Sequence, residues 1–259
     1  GIISSVADGN VILGKLENDF QDKHILYRER DLPAPTTTGC FTPEYPMTYS
    51  PSELQYEDAN RTVNCVRLYW EANYDLYVNK GSSVTNVVNY LTAVFNQSNI
   101  IYGNDGISTV LSEIYVWNTT SPYTGTATSS LLSQFQSFRN SFNGVLGQLL
   151  GLAGGGEVAA GFNGICNSNL DASQCYSGIS SSYNSFPTYS WTVEVVTHEQ
   201  GHLLGSRHTH ACVWNGNNTA IDNCGPTAGY GYEGSCSGAP SPGSAGGTIM
   251  SYCHLVGGV

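Results

Sequence analysis

Eleven consecutive residues carry most of the chemistry in this chain: His198-Glu199-Gln200-Gly201-His202-Leu203-Leu204-Gly205-Ser206-Arg207-His208. On a helix, His198 and His202 stand four positions apart and project from one face, so two imidazole nitrogens can hold one metal ion. Gly205 permits a left-handed backbone that ends the helix and swings His208 round as a third ligand. Three neutral imidazoles leave a tetrahedral zinc with one open position, the catalytic rather than the structural arrangement. One zinc per chain is therefore predicted, lowering the pKa of its bound water to about 7 and polarising an approaching amide. Glu199, next to the first ligand, is placed to take that water's proton and pass it to the departing amine. With 6 His and 30 Gly in 259 residues, this spacing arises by chance on the order of 10⁻⁵ times per chain.

The elements that must position these residues read as a mixed α/β layer. Val66, Leu68 and Trp70 alternate as in a half-buried strand, and Val84, Val87, Val88, Leu91, Val94 and Phe95 follow at helical spacing. Residues 110–117 form a second β-branched and aromatic run. Leu131, Phe135, Phe138, Phe142, Val145 and Leu149 predict a second helix, capped by Ser129 or Ser130. A short strand is expected over 158–165 and the motif-bearing helix over 191–204, with an irregular lobe rich in Gly, Ser, Asn, Pro and Cys after Gly205. Ahead of these, residues 10–16 and 24–28 alternate as a small hairpin with the charged residues 17–23 as its turn. The Pro/Thr-rich link Leu32-Pro33-Ala34-Pro35-Thr36-Thr37-Thr38-Gly39-Cys40 marks a boundary. Residues 1–62 are accordingly read as a separate N-terminal segment, and 63–259 as the main domain, divided into an upper lobe (63–205) and a lower lobe (206–259).

Composition narrows the partners. Nine basic against twenty acidic residues give a net charge of −11, and only Arg139 and Arg207 are basic beyond Lys80, which argues against nucleic acid. The most apolar stretch, 146–160, is interrupted by glycines and Glu157, so no membrane insertion is expected. Eight cysteines in a lysine-poor chain fit an oxidising, extracellular or periplasmic compartment.

The eleven-residue motif together with Thr248-Ile249-Met250-Ser251-Tyr252 resembles the metzincin clan of zinc endopeptidases, in which a methionine turn lies under the metal. Gly164-Ile165-Cys166, Cys175 with Gly178-Ile179, and Thr197-His198-Glu199 are similar in order to the adamalysin (reprolysin) branch and its bacterial relatives, with an edge strand, a crosslinked loop, a strand and the active-site helix. The resemblance implies an α/β metzincin catalytic domain: a twisted, mostly parallel sheet with long helices and an irregular C-terminal lobe below the cleft. It implies polypeptide substrates held as an added strand on the upper edge, zinc on His198, His202 and His208, Met250 as the turn methionine, a secreted monomer, and a continuation past Val259 into a further helix. A binding module that kept the fold but lost catalysis would have lost Glu199 or a ligand, and none is lost. Two positions depart from the branch. Thr209 replaces the usual Asp after the third histidine, and Tyr252 resembles the astacin and serralysin turn, where a tyrosine approaches the metal. Tyr252 thus either donates a hydrogen bond to the reaction's oxyanion or simply packs in the turn. His210 and His254 are expected at the surface.

Cysteine order suggests crosslinks Cys166–Cys175, whose ten-residue loop follows that branch, Cys224–Cys236 and Cys212–Cys253. Cys40 has two readings. Parity pairs it with Cys65, whereas the likeness of 24–40 to the tail of an adamalysin propeptide makes it a latency thiol in the fourth zinc position of a zymogen.

Overall fold

The computed structural model describes residues 2–5, 9–15, 24–28, 39–43, 49–50, 54, 65–185, 188–242 and 246–256. Near the N-terminus, β1 (Ile2–Ser5), β2 (Gly9–Lys15) and β3 (His24–Arg28) form a three-stranded antiparallel sheet. The hairpin expected from 10–16 and 24–28 is the β2–β3 pair, joined in register from Val11 opposite Arg28 to Lys15 opposite His24. The first strand was not foreseen, and residues 17–23 lie outside the described residues.

From Val66 the expected alternation of strand and helix holds. The elements are β4 (Val66–Ala72), a short α1 (Tyr74–Asn79), α2 (Val84–Asn104), β5 (Thr109–Val116), α3 (Thr128–Phe138), β6 (Leu146–Gly151), β7 (Glu157–Ala159), β8 (Gln174–Gly178), α4 (Trp191–Leu203) and α5 (Cys224–Thr227). The sheet order is β5-β4-β6-β8-β7. All neighbours are parallel except β7, which runs antiparallel along β8 as the edge. This is the twisted, mostly parallel α/β sheet that the sequence implied. The core between sheet and helices is built from Leu68, Trp70, Leu76, Leu91, Val94, Leu150, Val195 and Val196, with Trp70 edge-on to Phe95 at 5.8 Å.

Three element expectations are corrected. The predicted second helix stops at Phe138, and its last three apolar positions belong elsewhere: Phe142 lies in the loop, Val145 leads into β6, and Leu149 lies within it. All six residues of β6 are buried. Its sequence therefore reads as a continuous apolar run, which periodicity cannot tell from a buried helix. Ala127, not Ser129 or Ser130, occupies the cap of α3. The edge strand is shorter than 158–165, ending at Ala159.

A buried carboxylate anchors the far side of the sheet. The Glu71 oxygens accept hydrogen bonds from Tyr69 (2.6 Å), Tyr123 (2.6 Å), Trp117 Nε1 (2.6 Å) and Arg139 Nε (2.7 Å). Every lone pair directed inward is thus used, and the charge is paired.

None of the three lower-chain crosslinks is formed as expected. The disulfides are Cys212–Cys236 and Cys224–Cys253, while Cys166 is exposed and free and Cys175 is buried and free. Cys175 lies within β8, where it faces the core, and Cys166 stands in the loop before the short 3-10 turn Leu170–Ser173. In the irregular lobe the chain path, not nearness in sequence, sets which thiols meet. The disulfide from α5 to Cys253 ties the turn after Met250 to the lobe.

Candidate metal centre

Every residue of α4 except the half-buried Trp191 is buried, so this helix runs through the interior and not along its surface. Tyr102 on α2 donates to the Thr197 carbonyl at 2.6 Å, and Thr197 Oγ1 donates to Ser98 at 2.9 Å. From the other side Gln148 of β6 links Ser177 of β8 (2.9 Å), the Val196 carbonyl (3.2 Å) and Gln200 Nε2 (2.7 Å). This polar clamp fixes the helix rotation, and periodicity could not have found it, because it joins polar residues on four separate elements.

The motif glycines have distinct causes. A Cβ at Gly201 would stand 2.7 Å from Met250 Sδ, so only glycine lets the methionine turn press against the helix. Gly205 has φ +112°, and the reversal it makes is closed by Gly205 N–H to the His202 carbonyl (2.8 Å) and Ser206 N–H to the Gly201 carbonyl (2.9 Å). Thr209, in place of the branch's Asp, accepts the Ile221 N–H at 2.7 Å and donates its own N–H to the Met250 carbonyl at 3.0 Å, tying ligand loop to turn.

The reversal brings three imidazoles together. His208 Nε2 lies 3.1 Å from His198 Nε2 and 3.2 Å from His202 Nε2. Each ring's other nitrogen faces an acceptor: His198 Nδ1 the Ile249 carbonyl (2.7 Å), His202 Nδ1 the Ser206 carbonyl (2.8 Å), and His208 Nδ1 the Glu233 carboxylate (2.7 Å). Nδ1 is therefore the protonated nitrogen in all three, and three Nε2 lone pairs converge on one point. Burial and neighbouring histidines hold His198 and His202 well below the usual histidine range, so both stay neutral. Converging lone pairs without a proton between them call for a cation. Tetrahedral zinc at about 2.0–2.1 Å from nitrogen requires ligand separations of about 3.3–3.4 Å, close to those seen.

Cys40 stands in the same group, buried, with its Sγ 3.0 Å from Glu199 Oε1 and 3.4 Å from His202 Nε2. The Cys40–Cys65 pairing is thereby corrected, since Cys65 is exposed and free. Residues 39–42 reach the centre as an extended segment. Phe41 N–H bonds the Glu157 carbonyl of β7 at 3.0 Å, and Cys40 bridges Glu157 in the parallel sense. Thr42 Oγ1 donates to Glu199 Oε2 (2.9 Å) and accepts from Ala159 N–H (2.7 Å). Tyr252 donates its phenol to the Cys40 carbonyl at 3.0 Å. Burial raises the Glu199 carboxyl to about 7, against the lowering by hydrogen bonds from Cys40 and Thr42. Burial, and then Glu199 and Glu157, push the Cys40 thiol well above its usual value, a balance that a bound metal's own charge reverses.

His210 and His254, expected at the surface, are buried at 1% and 2% exposure. His210 stacks on His208 with ring centroids 5.0 Å apart and meets Glu233 at 3.1 Å. Burial alone would raise the Glu233 carboxyl, but hydrogen bonds from His208 and His210 bring it well below the carboxylate range. Glu233 was missed because nothing in its Gly-rich surroundings marks it. His254 packs against Trp191 and Tyr252, and burial lowers it to about 4.

The family description "Reprolysin_5: Metallo-peptidase family M12" matches residues 62–255. No curated protein matches the chain. Among solved structures, one titled "Structure of a chaperone-substrate complex" is similar at 12% identity and TM-score 0.40, over 75% of this chain and 35% of that one. The chain thus spans about a third of that structure's length, and a likeness at this level bears on neither fold nor function.

Proposed function

The chain belongs to metallopeptidase family M12, whose members hydrolyse peptide bonds with zinc; from that premise we propose a secreted endopeptidase in which His198, His202 and His208 hold the metal, Glu199 is the general base, and Cys40 keeps the enzyme latent. When bound, zinc supplies a Lewis acid and an acidified water at neutral pH. The remaining work falls to the chain. Glu199, buried and adjacent to the ligands, holds the abstracted proton and delivers it to the leaving nitrogen. The carbonyls of Ile249 and Ser206 and the Glu233 carboxylate keep the three rings oriented.

The observation that carries the latency reading is the position of Cys40 Sγ, 3.0 Å from Glu199 and 3.4 Å from His202. A thiol there takes the position that water and substrate need. The parallel sense of the Cys40 bridge supports this reading, because a substrate strand is expected to add antiparallel to β7 and would present its peptide bonds in the opposite direction. A sheet edge that is freed when residues 39–42 leave favours cleavage within chains, and two disulfides favour an oxidising compartment.

Elemental analysis should find one zinc per chain, and cleavage of a denatured protein should stop on chelation. Glu199→Gln should keep the zinc and lose about 10²-fold to 10⁴-fold in rate. A variant that cleaves as fast as the parent refutes the assigned base.

A further inference from the structure

Two carboxylates beside the histidine cluster are buried with no hydrogen bond from any described residue. Glu157 on β7 is 0% exposed and Glu194, one turn before His198 on α4, is 5% exposed. Among the described residues, none donates a hydrogen bond to any of their four oxygens. Ligating atoms of Glu157, Glu194 and His198 lie within 4.8 Å of one another. Buried carboxylates are ordinarily paired, because an uncompensated one is expensive. Glu71 shows the usual solution in this same protein, with four donors around an equally buried group.

The described residues supply no partner for Glu157 and Glu194. His198 spends its Nδ1 hydrogen on the Ile249 carbonyl at 2.7 Å. His254 Nδ1 stays 3.6 Å from Glu194 Oε1, beyond hydrogen-bond length. The cations with described side chains are engaged elsewhere: Arg67 on Asn143, Arg139 on Glu71, Arg207 over Phe162 and Lys80 over Tyr90. A metal ion is a poor occupant, since two carboxylates and a committed imidazole fall short of the six or more oxygens that a hard cation takes.

Their position points to what does fit. The Glu157 carbonyl is the acceptor on the cleft edge that now holds Phe41 N–H, and Glu194 stands 3.7 Å from the first zinc-site histidine. A side chain of a residue next to the scissile bond would approach these oxygens from that edge once residues 39–42 have left it. We propose that Glu157 and Glu194 form a selectivity site for a basic side chain, so that the enzyme cleaves peptides bearing lysine or arginine directly beside the scissile bond. This rests on the peptidase reading above.

The test uses the full chain carrying Cys40→Ala, digesting a denatured peptide library with the cut sites mapped. Lysine and arginine should be enriched at one of the two positions flanking the cut. A matched peptide pair differing only by Lys or Gln there should favour Lys by at least about tenfold in kcat/KM. Glu157→Gln and Glu194→Gln should each bring that ratio toward parity, mainly through KM. Cut sites without basic enrichment overturn the proposal, even where neither variant folds. So does a ratio that both variants leave unchanged, or a second metal ion per chain that Glu157→Gln removes. Failure to cleave any peptide refutes the peptidase reading, and the selectivity site falls with it.

Discussion

Thr42→Val isolates the hold that residues 39–42 have on the cleft. The substitution keeps the shape and removes the hydroxyl, which donates to Glu199 Oε2 at 2.9 Å and accepts from Ala159 N–H at 2.7 Å. Both bonds exist only while the segment is seated, because Thr42 leaves with it and water then solvates the groups left behind. A hydrogen bond to a charged group contributes about 1.5–3 kcal/mol and a neutral one about 0.5–1.5. Their sum, about 2–4.5 kcal/mol, is an upper bound, because valine adds apolar burial at a position only 6% exposed. Taking about 2.7 kcal/mol, the open fraction should rise about 10²-fold. The readout is the alkylation rate of Cys40 in the full chain, followed by mass spectrometry of its own peptide because Cys65 and Cys166 are exposed and react independently. Alkylation and basal cleavage should rise by the same factor, since Thr42 is absent from the cleft once it opens. An alkylation rate within twofold of the parent's refutes the seating, and a rise in alkylation without a rise in cleavage refutes latency.

Other perturbations act on the metal and the lower lobe. Glu233→Ala should weaken zinc about 10-fold to 100-fold in a chelator competition, because His208 loses the acceptor that fixes its tautomer; Glu233→Gln should restore part of that affinity, and unchanged affinity in both variants would show the contact to be idle. His202→Ala should abolish stoichiometric zinc at neutral pH, and retained metal would mean that Cys40 and the other two histidines suffice. Replacing Cys224 and Cys253 by alanine should lower the unfolding free energy by about 3.5 kcal/mol, the loop-closure value for their separation of 29 residues; a loss under about 1 kcal/mol in chemical denaturation would show that packing alone holds the turn.

The legible part of this site was the part that is local in sequence. His198, Glu199, His202, Gly205 and His208 fall within eleven residues, and the helical repeat with one left-handed glycine fixes their relative placement. Glycine at position 201 was visible in the motif, but its cause, Met250 Sδ at 2.7 Å from a Cβ there, needed the fold. What stayed hidden was non-local or polar. Cys40 meets Glu199 across 159 positions of chain, and parity pulled it instead toward the nearest thiol. Strand β6 was hidden by its own burial, because a strand covered on both faces loses the alternation that marks it. Glu157, Glu194 and Glu233 are carboxylates of the kind usually found in water, and residue type alone assigned them nothing.

Tyr252 shows how a choice posed at the level of sequence can be too narrow. The alternatives were a phenol serving the chemistry and a ring packed in the turn. The ring does pack, against His208 at 4.8 Å, His210 at 4.6 Å and Tyr230 at 4.9 Å. Its hydroxyl nevertheless donates to the buried backbone carbonyl of Cys40, the residue seated at the metal centre. A donor held by three rings and aimed at a carbonyl in that position is preorganised for whatever carbonyl comes next. Under the proposed latency, seating residues 39–42 and stabilising a substrate's oxyanion would ask the same thing of this phenol. Tyr252→Phe should consequently speed Cys40 alkylation about fivefold, for one neutral hydrogen bond of about 1 kcal/mol, while lowering kcat in the opened enzyme. A variant that loosens the segment with kcat intact would confine Tyr252 to latency.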